Sequence, residues 1–197
     1  MQEVIKLPKP NTEGGSSFTS ALAQRRSVRG FSKKDLTLAE VGQLLWAAQG
    51  ITDLAEGFRT APSAGALYPL EVYVAKYDGL FHYRPNGHTL VQKSDEDVRR
   101  KLRKTAIDQM FVEEAPCVFI ITGIYERTTR KYGERGVRYL HMEAGHVAQN
   151  ILLQAVALGF GGVPVGAFHD REISEILNLN EKERSLYLIP IGVPKIN

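Results

Sequence analysis

The 197-residue sequence contains one cysteine and one tryptophan, and neither sign of charge is in marked excess. Cys117 alone cannot form an intramolecular disulfide, and cysteine-based metal clusters or iron–sulfur centres require several cysteines. We therefore expect any redox chemistry to come from a bound organic cofactor. The 25 lysines and arginines stand against 22 acidic residues, which is far from the imbalance of a nucleic-acid binder. Charge therefore predicts no nucleic-acid partner.

Long apolar segments are also missing from the sequence. No run approaches the roughly 20 residues needed to cross a bilayer, and residues 1–8 lack the basic and apolar regions of a signal peptide. These two absences predict a cytoplasmic protein with no membrane partner. The composition, with 43% hydrophobic and 24% charged residues, is typical of a folded domain.

The chain divides into a short arm and one domain. Turn-forming residues between Leu7 and Ser17 show no periodicity, so residues 1–17 are predicted to form an extended N-terminal arm. Residues 18–197 contain neither a repeat nor an internal linker, and we expect them to form a single domain.

Helical patterns occur at five places in this domain. Thr37 and Glu40 have the spacing of a capping box, which predicts a helix that ends at Gly50. Residues 137–158 have a wide apolar face that can pack against both a sheet and a second subunit. Shorter helices are predicted over residues 18–26, over residues 95–107 with Ser94 as the cap, and around Ile173, Ile176 and Leu177.

Strand patterns follow one another along the chain. The hairpin signals Asp78-Gly79 and Asn86-Gly87 join three β-rich segments into an antiparallel meander: residues 70–76, 80–84 and 88–92. Apolar runs predict a buried central strand over residues 117–122 and a final strand over residues 185–192. Because hairpins rather than crossovers link the strands, we expect the α+β class, with a central, mainly antiparallel sheet flanked by helices.

A helix end rich in guanidinium groups is the first candidate site. Guanidinium groups bind phosphate oxygens bidentately, and a hydroxyl can bond a sugar, so an anionic cofactor would fit Arg25, Arg26, Ser27 and Arg29. The alternative is a solvated basic helix end. Two loops of small residues, 61–69 and 161–167, could bring backbone N–H groups close to a flat ligand. The second loop lacks the spacing of a dinucleotide fingerprint and the ending of a Walker loop.

Metal and hydrolase chemistry are disfavoured by the sequence. His141 and His146 are five residues apart, the wrong interval for one helix face, and no Cys/His cluster occurs, so no metal is expected. There is no Gly-x-Ser-x-Gly elbow, and Ser63 has no base nearby in the sequence. Lys131 and Tyr132 are an adjacent pair of a possible proton donor and acceptor, in a basic stretch predicted to be a solvated loop.

Three segments, residues 25–31, residues 62–69 and residues 131–135 leading to residues 143–146, occur here in a specific order. Taken together they resemble the FMN-dependent nitroreductase family, in particular its SagB/thiazole-oxidase-like branch of dehydrogenases. The resemblance extends from about Leu7 to Pro194. It implies a nitroreductase-like fold and an intertwined homodimer, with two FMN molecules at the subunit interface.

The resemblance also implies roles for individual residues. The phosphate, ribityl chain and pyrimidine edge of FMN would be held by Arg25, Arg26, Ser27 and Arg29. From the partner subunit, the flavin would be approached by Pro62, Ser63 and Gly65. Val165, Gly166 and Ala167 would lie beside the ring. One of their backbone N–H groups would be near N5, the flavin atom that accepts hydride. Many relatives have several basic residues near the C-terminus at the phosphate, whereas this chain offers only Lys195.

Two enzymatic functions and one non-enzymatic function are consistent with the resemblance. The first is ping-pong hydride transfer from NAD(P)H through FMN to a quinone, nitroaromatic or similar acceptor. The second is oxidation of azolines in a modified peptide, for which Lys131 and Tyr132 would be the base system. The third is a flavin-binding dimer without turnover.

Overall fold

The computed structural model describes residues 3–195, in which seven strands form one sheet. The strands are β1 (Val4–Lys6), β2 (Leu70–Lys76), β3 (Gly79–Arg84), β4 (Thr89–Ser94), β5 (Cys117–Ile124), β6 (Gly161–Gly162) and β7 (Glu183–Gly192). Their order across the sheet is β1-β4-β3-β2-β5-β7-β6, and every neighbouring pair is antiparallel.

Helices cover both faces of this sheet. In the described residues they are α1 (Phe18–Gln24), α2 (Leu38–Gln49), α3 (Arg99–Thr105), α4 (Met110–Glu114), α5 (Tyr125–Tyr132), α6 (Arg135–Ala157) and α7 (Asp170–Leu177). Helices α2 and α6 contribute Leu44 and Ile151 to one apolar core, and α3 and α7 contribute Leu102 and Ile173 to a second core. The predicted α+β class with a flanked antiparallel sheet is confirmed.

The predicted meander and central strand are both present. Strands β2, β3 and β4 pair consecutively, with Val74 opposite Phe81 and Tyr83 opposite Leu90. Strand β5 lies between β2 and β7 and is buried from Cys117 to Gly123. A nearly continuous apolar run fits such a strand, because both of its faces are covered by helices.

The signals at helix ends are also confirmed. The Thr37 hydroxyl accepts from the Glu40 N–H, and the Glu40 carboxylate accepts from the Thr37 N–H, which completes the capping box of α2. Helix α6 ends at Ala157, and Gly159 then adopts a φ of +80°. None of the helices in the described part of the chain is long and apolar enough to cross a membrane.

Part of the predicted arm belongs to the sheet. Strand β1 pairs with β4, with Ile5 opposite Leu90, and Leu7 is buried in the first core. The arm therefore covers an edge of the sheet that would otherwise present unpaired backbone groups. Three residues are too short a segment to show an alternating pattern, which is why the sequence did not predict this strand.

Two local predictions were wrong. The helix predicted over residues 95–107 begins only at Arg99, because Ser94 is the last residue of β4 and its hydroxyl accepts from the Glu96 N–H in a turn. It ends before Ile107 and Asp108, which both have a φ of +55° and separate it from α4. Lys131 and Tyr132, predicted in a loop, lie in the last turn of α5.

Candidate functional site

The arginine-rich segment after α1 runs along the edge of β6. Ser27 forms a parallel bridge with Gly162, and the Val28 N–H donates to the Gly162 carbonyl at 3.0 Å. A Cβ atom on Gly161 would lie 2.5 Å from Val28 Cγ2, so this close approach requires glycine. The sheet edge therefore fixes the backbone that carries the predicted phosphate-binding residues.

The C-terminal residues extend the same edge. Phe31 forms an antiparallel bridge with Pro194, and the Lys195 N–H donates to the Gly30 carbonyl at 3.0 Å. Lys195 thus lies beside the arginine-rich segment although 165 positions separate Gly30 from it in the sequence. Of the residues predicted at the phosphate, the structure brings five to one strip of backbone: Arg25, Arg26, Ser27, Arg29 and Lys195.

Two of these arginines also contact the protein. Arg26 Nη1 donates to the carbonyls of Ala23 at 3.0 Å and of Arg25 at 2.8 Å, which caps the end of α1. The Arg29 guanidinium lies 5.9 Å from the centre of the Phe111 ring. Arg26 and Arg29 are both exposed, so part of each guanidinium remains accessible to an anion.

The second strip of this region is a segment of small residues beside β7. Val165 is buried and exchanges backbone hydrogen bonds with Leu188 at 2.8 and 2.9 Å. Gly166 and Ala167 follow and are exposed. A Cβ atom on Gly166 would approach only Tyr187 Cε1, at 4.0 Å, so the space above this backbone is open. The edge of a ring can therefore reach the backbone here.

Residues 62–66 lie against the end of α5. Gly65 has a φ of +63°, and a Cβ atom there would lie 2.7 Å from the Tyr132 hydroxyl and 2.9 Å from Lys131 Nζ. The two side chains therefore converge on the Gly65 backbone, and the Tyr132 ring packs edge-on against Tyr139 of α6 at 5.1 Å. The loop over residues 62–66 and the pair Lys131 and Tyr132 are far apart in the sequence but form one site in the structure.

Ser63 anchors the same loop to α6. Its hydroxyl donates to Glu143 Oε2 at 2.5 Å and accepts from the Tyr68 N–H at 2.9 Å. Ser63 has no base nearby in the sequence, but the fold brings a carboxyl from 80 positions away against it. With both hydrogen bonds in place, the hydroxyl holds the loop in position.

Glu143 is the residue of this site that sequence reasoning missed. The side chain is 2% exposed, and burial raises the pKa of its carboxyl to about 7, against the lowering effects of the Ser63 hydrogen bond and the Arg59 charge. Oε1 has no hydrogen-bond partner among residues 3–195. Glu143 also lines a cavity of about 240 Å³ with Pro62, Tyr139 and His146.

A signal for Glu143 does exist in the sequence. It is an acidic residue on the apolar face of α6, three positions after Leu140 and four before Val147, both fully buried. Carboxyl groups are rarely buried without a partner or a function, so an acid in such a stripe marks a candidate site.

The two groups of candidate residues are separated within the chain. Ser63 contacts Glu143 in the first half of α6, whereas Ser27 contacts Gly162 beyond its end. The chain turns back after α6, so that a Cβ atom on Gly162 would lie 3.3 Å from Leu152 Cδ2. Leu152 follows Glu143 by nine residues, which separates the two contacts by about 14 Å along the helix, at 1.5 Å per residue. Within residues 3–195, no group of three or more His, Cys, Asp or Glu side chains could hold a metal ion.

A cationic edge beside an open strip of backbone, on an antiparallel α+β sheet, is typical of proteins that bind an anionic, flat cofactor. Comparison with known families agrees with this class. The family model named "Nitroreductase family" matches residues 22–193, and the chain belongs to the nitroreductase family. It is therefore an oxidoreductase of the nitroreductase type.

Individual relatives refine this assignment. The "Putative nitroreductase MJ1384" of Methanocaldococcus jannaschii is 48% identical, over 98% of each chain. A crystal structure of a "putative nitroreductase" from Ralstonia eutropha is 31% identical and superposes with a TM-score of 0.90, over 98% of this chain and 90% of that chain. The "Microcin B17-processing protein McbC" of Escherichia coli is 26% identical, over 76% of this chain and 59% of McbC. The resemblance to the SagB-like branch is confirmed by this last relative.

The residues present fit the flavin that members of this family use. Guanidinium groups and a lysine match a phosphate, and the open backbone at Gly166 matches the edge of a ring. Gly161 and Gly162 hold these two strips together, because a Cβ atom on Gly162 would lie 2.3 Å from Ile191 Cδ1.

Proposed function

We propose that this chain is an FMN-dependent oxidoreductase that acts as a homodimer, with FMN at the subunit interface. It takes hydride from NAD(P)H and passes it in a second half-reaction to a quinone, nitroaromatic or similar small acceptor. The observation that carries the proposal is the joint placement of the arginine-rich segment, Lys195 and the Gly166 backbone at one edge of the sheet. The cytoplasmic location stays a prediction.

Each group of this edge has a defined task. The guanidinium groups of Arg25, Arg26 and Arg29 would neutralise the phosphate, and the Ser27 hydroxyl would bond the ribityl chain. The backbone N–H groups of Gly166 and Ala167 would hold the edge of the ring. When bound, FMN would supply a ring system that accepts a hydride and later releases it. No separate nucleotide domain would be needed, because NAD(P)H would react directly with the bound flavin.

The separation of the two candidate groups supports the dimer. Ser63 lies at Glu143, whereas Gly162, the partner of Ser27, lies at Leu152, about 14 Å further along α6. In the proposed dimer, the loop with Pro62, Ser63 and Gly65 reaches the FMN that the other subunit holds. Because α6 lies beside both groups, its outer face is the proposed contact between the subunits.

A visible absorbance spectrum of the purified protein tests the proposal. We expect yellow protein that releases FMN, identified by chromatography, and that is bleached by NADH or NADPH without oxygen. Addition of a quinone should then restore the colour. Colourless protein that does not take up FMN would contradict the cofactor assignment. Yellow protein that neither nicotinamide bleaches would favour the alternatives below.

The contact of Lys131 and Tyr132 with Gly65 favours a second candidate, oxidation of azolines in a modified peptide. The Lys131 amine and the Tyr132 hydroxyl both crowd the Gly65 backbone and so lie close together, and a substrate carbon bound beside them could lose a proton to this pair. The similarity to the microcin-processing protein McbC also supports this candidate.

Substitution of Lys131 and Tyr132 separates the two enzymatic candidates. Lys131→Ala and Tyr132→Phe should abolish azoline oxidation and leave quinone reduction largely intact. Equal loss of both activities would mean that the pair has a structural role. A flavin-loaded dimer with neither activity would leave flavin binding as the function.

A further inference from the structure

A second cavity, about 370 Å³ in volume, lies beside Tyr68 at the end of β2 and β3. None of the roles proposed above uses the charged side chains that line it. Its polar lining is formed by three arginines, one carboxylate and one amide: Arg59, Arg84, Arg127, Glu71 and Asn86. Three guanidinium groups around a single carboxylate give this cavity a net positive lining.

The one carboxylate is already engaged. Glu71 Oε1 lies 2.6 Å from Arg127 Nη2, and Glu71 Oε2 lies 2.8 Å from His82 Nε2. Within residues 3–195, neither Arg59 nor Arg84 forms an ion pair with a carboxylate within 4.0 Å. Burial lowers the pKa of Arg59, against the raising effects of Glu71, Tyr68 and Glu143. The lining therefore leaves positive charge that the protein itself does not neutralise.

The walls of the cavity are held in place by Tyr68. This residue has a φ of +46°, which is strained for a tyrosine and persists only where the surroundings fix it. Its hydroxyl accepts from the Arg59 N–H at 3.1 Å, and its carbonyl accepts from Arg127 at 3.1 Å. The Arg59 guanidinium lies 4.4 Å from the centre of the Tyr68 ring. Two of the three arginines are thus preorganised.

The cavity also adjoins the pair of Lys131 and Tyr132. Arg127 and Lys131 are four residues apart in α5, so they lie on one face of the helix, about 6 Å apart along its axis. Both side chains contact the loop over residues 61–69: Arg127 contacts Tyr68, and Lys131 contacts Gly65. A compound at Gly65 could therefore extend an attached group to Tyr68.

We propose that this cavity binds an oxyanion, a carboxylate or a phosphate, carried by the compound that reacts beside Lys131 and Tyr132. The proposal rests on the function proposed above, because it names the substrates of that site as anionic. Two sources can supply such a group: a carboxylated acceptor, or the phosphate that distinguishes NADPH from NADH. Guanidinium groups bind both oxyanions through paired N–H donors.

Arg84 offers the sharpest test, because it is exposed and its replacement leaves the contacts of Tyr68 intact. Arg100, an exposed arginine of α3, is the matched control, since Arg100→Gln removes the same charge at a distant element. We would titrate inorganic phosphate into the purified protein and both variants by calorimetry. Because Arg84→Gln removes one charge-assisted contact, it should weaken phosphate binding about tenfold. Arg100→Gln removes no contact in the cavity and should leave phosphate binding unchanged.

Steady-state kinetics then identify the source of the oxyanion. The first comparison uses 4-nitrobenzoate against nitrobenzene, and the second uses NADPH against NADH. A selective loss of kcat/KM for nitrobenzoate in Arg84→Gln assigns the cavity to the acceptor, and a selective loss for NADPH assigns it to the nucleotide. Either result supports the oxyanion site.

Equal phosphate binding in the wild type and in Arg84→Gln would overturn the proposal. This result is independent of turnover. If Arg84→Gln loses phosphate binding but no variant reduces any acceptor, the cavity stands as an oxyanion site and the proposed redox function fails.

Discussion

At the scale of single residues, the buried carboxyl of Glu143 links pH to stability. Its pKa is about 7 in the folded protein and close to 4.5 in an unfolded chain. The folded state therefore binds the proton more tightly, and Glu143 destabilises the fold progressively as the pH rises from about 4.5 to 7. Over this range the loss amounts to about 3 kcal/mol at most, at 1.36 kcal/mol per pKa unit.

Glu143→Gln should remove this dependence. A neutral amide can still accept from the Ser63 hydroxyl, so we expect the variant to match the wild type at pH 5. At pH 8 it should be more stable by about 1–3 kcal/mol, since no buried charge forms. Denaturant unfolding at the two pH values measures both differences.

The control is Glu114→Gln, which replaces an exposed glutamate of α4, and it should show neither effect. A parallel pH dependence in wild type and Glu143→Gln would show that this carboxyl is not the titrating group.

The sequence could identify some site residues because their chemistry is local. Arg25, Arg26 and Arg29 fall within five positions, and their guanidinium groups predict an anion site without any knowledge of the fold. Glu143 and Ser63 meet only after α6 packs beside the loop, and no local pattern links positions 80 residues apart. The positive charge around Tyr68 likewise comes from three separate segments of the chain.

At the scale of elements, the turn at Gly65 is the contact on which Lys131 and Tyr132 depend. Gly65→Ala places a methyl group in the left-handed region, at a cost of about 1–2 kcal/mol, and against both side chains. Gly57→Ala is a matched control, because Gly57 has a φ of +71° and nothing lies within 4 Å of its added Cβ.

We expect the two alanine variants to lose similar stability but different amounts of activity. Displacement of Lys131 and Tyr132 should lower azoline oxidation by roughly tenfold to a hundredfold in Gly65→Ala, whereas Gly57→Ala should keep it. Unfolding free energies and turnover of an azoline-containing peptide measure the two effects. If both variants oxidise the azoline at the wild-type rate, the convergence on Gly65 has no catalytic importance.

Elements with strong local signals were predictable, and those that depend on neighbours were not. The capping box at Thr37 and the apolar stripe of α6 carry their own information, so both helices were found near their observed ends. Strand β1 exists because β4 offers it an edge. The sequence pattern of α3 continues to Ile107, but the helix ends before it, because Ile107 and Asp108 have positive φ angles. Neither residue is a glycine, so the sequence gives no sign of this break.

At the scale of the whole molecule, the proposed dimer explains an apolar surface on α1. Phe18 is 69% exposed and lines a groove of about 300 Å³ with Trp46 and Leu153. A large apolar side chain beside such a groove is typical of an interaction surface. The groove lies between α1, α2 and α6, and α6 is the helix along which the two candidate groups are separated.

Phe18→Asp should therefore weaken the dimer and, with it, the retention of flavin. An aspartate in the first turn of a helix interacts favourably with the helix dipole, so α1 itself should stay folded. Leu54→Asp is the control, because Leu54 is 92% exposed in a loop away from this groove. Sedimentation velocity should show a larger monomer fraction for Phe18→Asp alone, with a matching fall in the ratio of flavin to protein. If Phe18→Asp is monomeric but still fully loaded with flavin, a single chain holds the cofactor, and the proposed interface site is contradicted. Ser63, which is separated from Ser27 within the chain, would then contact a different ligand.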